Sequence, residues 1–593
     1  MKIKIFGFTI VSTLLSIVNA KVYNFKAVSL SNNEYILGVK HDDVIDQMTP
    51  AAFPLFTAQI EADNISNYKY VVLDQTGQVV EEESIDREYS EDNSNLNEVY
   101  NRTTKQITIP ELPKPFKTSY SLGSKNFVPF PNNEIWTIHA QCDEIYDEVK
   151  NTPFLEGNLR NDKESNCTLT IITAEDVYQY QGTTRLVGFG SRLYKKLSWV
   201  FKIKDDKKFF GRTALKVRSM SNDPTLMREK VLTDLYTAVG VPVQEGTYAR
   251  VLINNDVWGL YEVVDTLNKK WIAAYVHNGD KKMVGTNYKL FSFHPSGPYA
   301  ELKYLGDDPE LYDPVNYTVD EVDSDDVEAN KNSGKYYRLI QFTKKFGEWL
   351  EKYQDDSSDE AYEALEKFLD IESTLKMMVV ETLSLVKDNF WVIMGNVALY
   401  YNKEKDYYQF LPYDFDDAMK GIKGPYLHDD YIQDCYTWAD DVPNFEHYFT
   451  KGLLSNPRIS ERYNIILAKT VRDTFNLDTV SSHIDAYADL IREDVEWNFN
   501  AIDNLQTSYD GFVNHYTLND FEDNLESGHL LVDTTIRTDD APYGLKEFID
   551  IRGNNCKAVT ADVQIPEEDG AFSHSFSIFL LILTQILLFI TLY

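Results

Sequence analysis

The 593-residue chain is short of cysteine, short of basic charge and without a long apolar run away from its ends, and each shortage narrows what it does. Only 58 Lys and Arg stand against 93 Asp and Glu, a formal charge of −35, so a nucleic-acid or anionic-membrane binder has no basic surface to build on. Four cysteines, Cys142, Cys167, Cys435 and Cys556, fall in no CxxC or Cys/His spacing, which argues against zinc. In a secreted chain they read as two disulfides, and of three possible connectivities the sequence-local pairs Cys142–Cys167 and Cys435–Cys556 are expected. The common hydrolase signatures GxSxG and HExxH are missing, and no repeat of fixed period is visible.

What is present is 43% hydrophobic and 13% aromatic, enough for a sizeable core, over a length that allows three or four domains. Met1 to Ala20 carries Lys2 and Lys4, an apolar run and the small-residue site Val18-Asn19-Ala20, which together read as a signal peptide. Sequons at Asn64, Asn101, Asn166 and Asn316 fit a glycosylating pathway. Small residues around Asp569 and Gly570, a polar patch and the apolar tail Ile578 to Tyr593 match a GPI-anchor signal, with attachment at Asp569 or Gly570. The alternative is an ordinary tail anchor, which normally has no signal peptide.

The short β-rich runs of 21–187, separated by polar turn clusters, predict a sandwich-like domain without a catalytic constellation. After Gly188 come strands LSWVFKI and TALKV, a helix opened by Asp223-Pro224-Thr225, and a hairpin, YARVLI to WGLYEVVD, turning at Asn254-Asn255-Asp256. Lys216 and Arg218 sit at the end of the strand facing the helix; Lys216 is placed to neutralise nucleotide phosphates, with Glu229 of the helix as its ion-pair partner, and the alternative is that Lys216 and Glu229 are ordinary surface charges. Helices follow from Ser333 to Leu385 and again from Tyr448 to Asn498, and the acidic 504–569 reads as a stalk before the 570–593 tail.

Between the helical runs, Leu383 to Met419 sets carboxylates and amides in apolar and aromatic company. VALYY and YYQFL predict a hairpin that turns at Asn402 to Asp406; its closure brings Asp388, Asn389 and Asn396 toward Asp414, Asp416 and Asp417. Two or three carboxylates with an amide oxygen suit Mg²⁺ on phosphates, while a solvated acidic loop is the competing reading.

The ordered passages ALKVRSMSNDPTLMREKVLTDLY, YARVLINNDVWGLYEVVD, KDNFW with GNVALYYN, and FLPYDFDDAM resemble the CotH kinase family of atypical kinases, in particular its GPI-anchored fungal surface members that include invasins. The resemblance covers roughly 188–500 and implies an α+β chain: a β-rich leader, then an atypical two-lobed kinase-like domain over 188–503. It further implies Asp388 as catalytic or metal-coordinating acid, Asn396 as an amide near the metal, Asp414 as the Mg²⁺ ligand and Asp416 as a second one, with ATP and Mg²⁺ as cofactors. GxGxxG, HRD and DFG are missing; Gly188-Phe189-Gly190 is too short to replace the first. Two functions stay open. One is Ser/Thr phosphorylation of secreted or wall proteins. The other is an adhesin or invasin at the cell surface that binds host-cell proteins through the segment after Met283, where Gly285, Thr286 and Asn287 echo the invasins.

Overall fold

The structure, a computed structural model, describes residues 21–566 except 32–33, 93, 104–105, 294, 424–426 and 532–539. The expected signal peptide and the anchor tail, with Asp569 and Gly570, lie outside the described residues. No described helix is long and apolar enough to cross a membrane.

The chain divides into two units. The first, Met1–Lys105 with Ile172–Tyr178, is built from β1 (Lys21–Val28), β2 (Ile36–His41), β3 (Val44–Gln47), β4 (Thr49–Ala52), β5 (Leu55–Ala62), β6 (Asn67–Leu73), β7 (Val79–Glu82), β8 (Arg87–Glu88) and β9 (Glu98–Val99). They form two sheets, β4-β5-β1-β9 and β3-β2-β6-β7 with β8 beside β6. Alternation explains the fold: Tyr23, Phe25 and Ala27 of one sheet and Tyr68, Tyr70 and Val72 of the other are buried in one core, as in a sandwich.

The second unit opens with β10 (Ile135–Cys142), α1 (Ile145–Asn151), β11 (Ser165–Ile172), β12 (Val177–Leu186), β13 (Trp199–Ile203), β14 (Ala214–Arg218), α2 (Arg228–Val239), β15 (Gly246–Ile253) and β16 (Asp256–Val264). Its strands close into a barrel in the order β10-β11-β12-β13-β14-β16-β15. The expected boundary at 187 therefore falls inside the barrel: β10 pairs in parallel with β15, Ile135 against Tyr248, and local strand pattern carries no signal for so distant a partner. The helix expected from Asp223 starts a turn later, at Arg228, because the Asp223 carboxylate accepts the N–H groups of Thr225, Met227 and Arg228 and caps the turn instead. Gly259, at φ 92°, lets the helix that carries Asn498 approach: a Cβ there would meet Asn498 Oδ1 at 2.5 Å, the oxygen that accepts from Leu260 N–H.

The remainder is a helical lobe around a small antiparallel sheet. After α3 (Lys269–Val276), β17 (Asn287–Leu290), β18 (Tyr317–Glu321), β19 (Val397–Asn402) and β20 (Tyr407–Pro412) align as β18-β17-β19-β20. Around it lie α4 (Val327–Lys331), α5 (Tyr337–Tyr353), α6 (Asp359–Glu366), α7 (Ile371–Ser384), α8 (Tyr448–Ser455), α9 (Pro457–Asp473), α10 (Leu477–Asn504), α11 (Leu518–Glu526) and α12 (Leu545–Val559). The stripe Leu339, Ile340, Phe342, Phe346 and Leu350 of α5 is buried, as its helical spacing predicts. The region read as a stalk instead folds onto this lobe where it is described. Leu545, Phe548, Ile549, Arg552 and Cys556 put one buried face on α12, and the Arg552 guanidinium donates to the carbonyls of Thr382, Tyr431 and Ile432. The acidic composition had hidden that amphipathic spacing.

Of the sequons, Asn64 and Asn166 are exposed and Asn101 is half-buried. Asn316 is 2% exposed and its amide donates to the carbonyls of Phe291 and Pro298, so a glycan there is incompatible with this fold. Both expected disulfides are present, Cys142–Cys167 and Cys435–Cys556, the second closing 121 residues and tying α12 to the loop that follows the acidic cluster. Chain-entropy reasoning gives this long closure about 4–5 kcal/mol. Replacing Cys435 and Cys556 together by Ser should therefore lower the guanidinium midpoint of the helical lobe markedly. An unchanged midpoint would contradict the bridge.

Candidate active site

The hairpin β19–β20 closes in the register Val397 to Pro412, which leaves Asn396 and Tyr413 side by side at its open end, joined by Tyr413 N–H to Asn396 O at 2.9 Å. Asn389 fixes both ends, its amide donating to the carbonyls of Asn396 and Tyr413 at 3.2 Å each. Helix α7 stops at Leu385 in a left-handed turn, and one wide π-helical turn, Lys387–Trp391, presents Asp388. Asp414 (φ 65°) and Asn396 (φ 44°) are also held in the left-handed region, a strain of about 1–3 kcal/mol each that persists only where surroundings impose it.

These residues face the barrel across a cleft of about 210 Å³ lined also by Gly188, Phe189, Gly190, Ser191, Lys216, Arg218, Ser219, Ser221 and Glu229. Lys216 and Arg218, two apart on β14, point to the same side. Arg218 is the hub. Its Nε lies 2.6 Å from Glu229, its guanidinium pairs with Asp414, and Asp416 is 3.6 Å away. The pair expected between Lys216 and Glu229 is thus made by Arg218, one residue pair further along the strand; Lys216 instead lies 3.8 Å from Asp414. Arg458, Arg462 and Arg492 pair with carboxylates of the helical lobe and take no part in lining the cleft.

The charges are unevenly met. Burial alone would raise the Asp414 carboxyl, but Arg218 and Lys216 outweigh it and hold it at about 2. Burial lowers Lys216, with Asp414 opposing. Burial raises Glu229 and Asp416 against the pull of Arg218. Asp388 is pushed well above the carboxylate range, first by burial and then by Asp416, Asp417 and Asp414. Its Oδ2 accepts from the Asn396 amide at 2.7 Å, while its Oδ1 is buried with no partner among the described residues. Lys387 is 2.9 Å from Asp417.

Among the described residues no three acidic, His or Cys side chains already converge into a metal cage. The donor set nonetheless fits a hard cation shared with phosphates: Asp388 offers an orphaned oxygen, Asp414 is partly exposed, and the Asn396 amide oxygen stands beside them. Asp416, 43% exposed, lies at the rim. Arg218 was legible beside Lys216 at the end of the strand facing the helix, but the pairing with Glu229 was expected of Lys216. The sequence reading set aside Gly188-Phe189-Gly190, which borders the cleft.

A barrel that sends a helix-borne Glu onto a strand-borne Arg, above a helical lobe whose hairpin and wide turn supply the acids, defines an atypical two-lobed kinase-like protein. The family described as CotH kinase protein matches residues 179–555, and the chain belongs to it. Invasin CotH3 of Rhizopus delemar is 26% identical over 82% of this chain and 76% of its own length. Spore coat protein homolog 1 of the same organism is 23% identical, over 68% of this chain and 62% of its own. Inner spore coat protein H of Bacillus subtilis is 18% identical, over 51% and 74%.

The electrostatics give a test with a definite sign. A carboxyl raised in the folded state penalises folding above its unfolded value, near 4, and the penalty vanishes below it. Metal-free Asp388→Asn should melt above wild type at pH 7, and the two should converge near pH 4. Identical melting curves at both pH values would contradict the assignment of Asp388 as an unmet buried charge.

Proposed function

We propose that the protein is a GPI-anchored cell-surface member of the CotH family that transfers the γ-phosphoryl group of ATP to Ser or Thr of secreted or wall proteins. The observation that supports this most is the cleft itself: Arg218 and Lys216 on the barrel side, and Asp388, with a buried unpartnered oxygen, on the other. Relatives carrying the name invasin support the surface location. Lys216 and the Gly188–Gly190 loop face the phosphates, and Arg218 keeps Asp414 ionised and Glu229 of α2 docked. Mg²⁺, held by Asp414 with Asn396 and Asp416, would supply charge neutralisation at the phosphates. Asp388 takes the proton of the acceptor hydroxyl while the hydroxyl oxygen bonds phosphorus and the bond from phosphorus to the ADP oxygen breaks, ADP leaving. Positioning and electrostatics carry the rate.

The second reading, a surface adhesin or invasin on a kinase-like scaffold that binds host-cell proteins, is favoured by Phe291 and Phe293, 44% and 45% exposed just after β17. Thr286 and Asn287, by contrast, are buried, and a Cβ on Gly285 would meet Tyr401 O at 2.1 Å, so that echo of the invasins is core rather than contact surface.

Asp414→Ala should reduce Mg²⁺-dependent phosphoryl transfer at least tenfold, about 1.4 kcal/mol, while Glu82→Ala on the first unit leaves it unchanged. A folded wild-type protein with no transfer, indistinguishable from Asp414→Ala, would sink the kinase reading and leave the adhesin.

A further inference from the structure

Five large apolar side chains of the second unit, Leu155, Leu159, Phe189, Leu193 and Phe512, are each between 43% and 66% exposed. They come from three segments: the turn between α1 and β11, the loop between β12 and β13, and the chain that follows α10. The segments meet. The Phe154 ring stands edge-on to the Phe189 ring at 5.4 Å, and Leu155 N–H donates to Leu159 O at 2.7 Å, which joins the first turn to the loop. On the loop's other side the Tyr194 and Phe512 rings are 6.3 Å apart, Phe512 N–H donates to Leu193 O at 2.8 Å, and Lys195 N–H donates to Phe512 O at 2.9 Å. Exposed apolar groups gathered in this way mark a surface of contact.

The platform under them is locked. Buried Arg192 donates to Leu186 O and Gly188 O on its own loop, and to Pro153 O, Asn161 O and the Asp162 carboxylate on the neighbouring turn, so all five guanidinium N–H groups find acceptors. The Tyr509 hydroxyl donates to Arg192 O at 2.7 Å and ties in the third segment. The three carriers of the exposed side chains therefore hold a fixed relation, and a ligand seated on them has little ordering left to impose. Phe189 and Tyr194 also line the cleft, so the strip begins at the cleft's own edge.

That continuity decides the occupant. The reading of the cleft as a phosphoryl-transfer site, on which this inference rests, brings a Ser or Thr of a polypeptide to Asp388, and the residues on either side of it follow at about 3.3 Å each along an extended chain and leave over the rim. A second copy of this chain seated on the strip would obstruct that entry, and the charge of −35 opposes an anionic membrane. We propose that the strip selects the acceptor polypeptide by taking bulky apolar or aromatic side chains that flank the Ser or Thr, with Phe189 nearest the acceptor and Leu159 and Phe512 further out.

Two synthetic peptides that share one Ser, flanked by Leu and Phe in one and by Asn and Gln in the other, are compared as acceptors with Mg²⁺ and ATP. Each is also titrated calorimetrically with Ala in place of that Ser, a measurement that needs no catalysis. The apolar peptide should be used with about tenfold higher kcat/KM and its Ala form bound correspondingly tighter. The double variant Leu159→Gln, Phe512→Gln should lose both preferences while transfer to the polar peptide stays unchanged. Should it fail to fold, Leu159→Gln alone, at the most exposed of the five positions, should reduce both preferences. An active wild type that uses the two peptides equally, or a preference retained in the folded double variant, would overturn the proposal and leave the kinase reading standing. Tighter binding of the apolar peptide, lost in the variant but without transfer in either protein, would keep the docking strip and overturn the kinase reading instead.

Discussion

The Arg218 guanidinium holds the two lobes of the second unit to a common geometry. It joins β14 to Glu229 of α2 and reaches across the cleft to Asp414, with Asp416 close by. Removing one partner of such a buried set typically costs about 3–5 kcal/mol, because the remaining charges are left uncompensated. Here Arg218 pairs with Glu229 and Asp414 and lies close to Asp416, so the placement of α2 against β14 and the width of the cleft are tied to it. The same arithmetic leaves Asp388 short: the barrel-side cations are spent on Asp414, Asp416 and Glu229, and Lys387 is drawn to Asp417. The chain therefore concentrates its unmet negative charge where a bound cation would relieve it.

That architecture is built from ordinary local rules pointed at one place. A hairpin ends in Pro412, a helix ends in a left-handed residue, and a wide turn follows; each device stops a regular element so that a polar side chain faces the cleft. Far from the cleft, α12 and the Cys435–Cys556 bridge hold the loop after the acidic cluster, and buried Arg552 satisfies three of its carbonyls and that of Thr382 on α7. The C-terminal helices thereby stiffen the elements that carry the acids.

Much of this was legible in the residues. The hairpin at 397–412 was readable from β-branched and aromatic runs around a polar turn, the buried stripe Val231, Leu232, Leu235 and Tyr236 of α2 from its helical spacing, and the disulfide pairing from proximity in sequence. What escaped was non-local. A strand's pattern does not say which sheet it joins, so β10, β11 and β12 were assigned to the leader. Net acidity masked the buried face of α12. Asn316 matched a sequon that its burial denies. Arg218 was visible on the right strand, but which of two cations meets Glu229 depends on tertiary distance rather than spacing.

If, as proposed, Asp414 and its neighbours hold a cation that carries a nucleotide in the cleft, nucleotide binding must depend on that metal. Calorimetric titration of ATP into the purified protein, in Mg²⁺ and again in EDTA, tests it most directly. Binding should be saturable in Mg²⁺, lost in EDTA and weakened by Asp414→Ala. Binding of equal strength with and without the metal, or no binding in either, would contradict it.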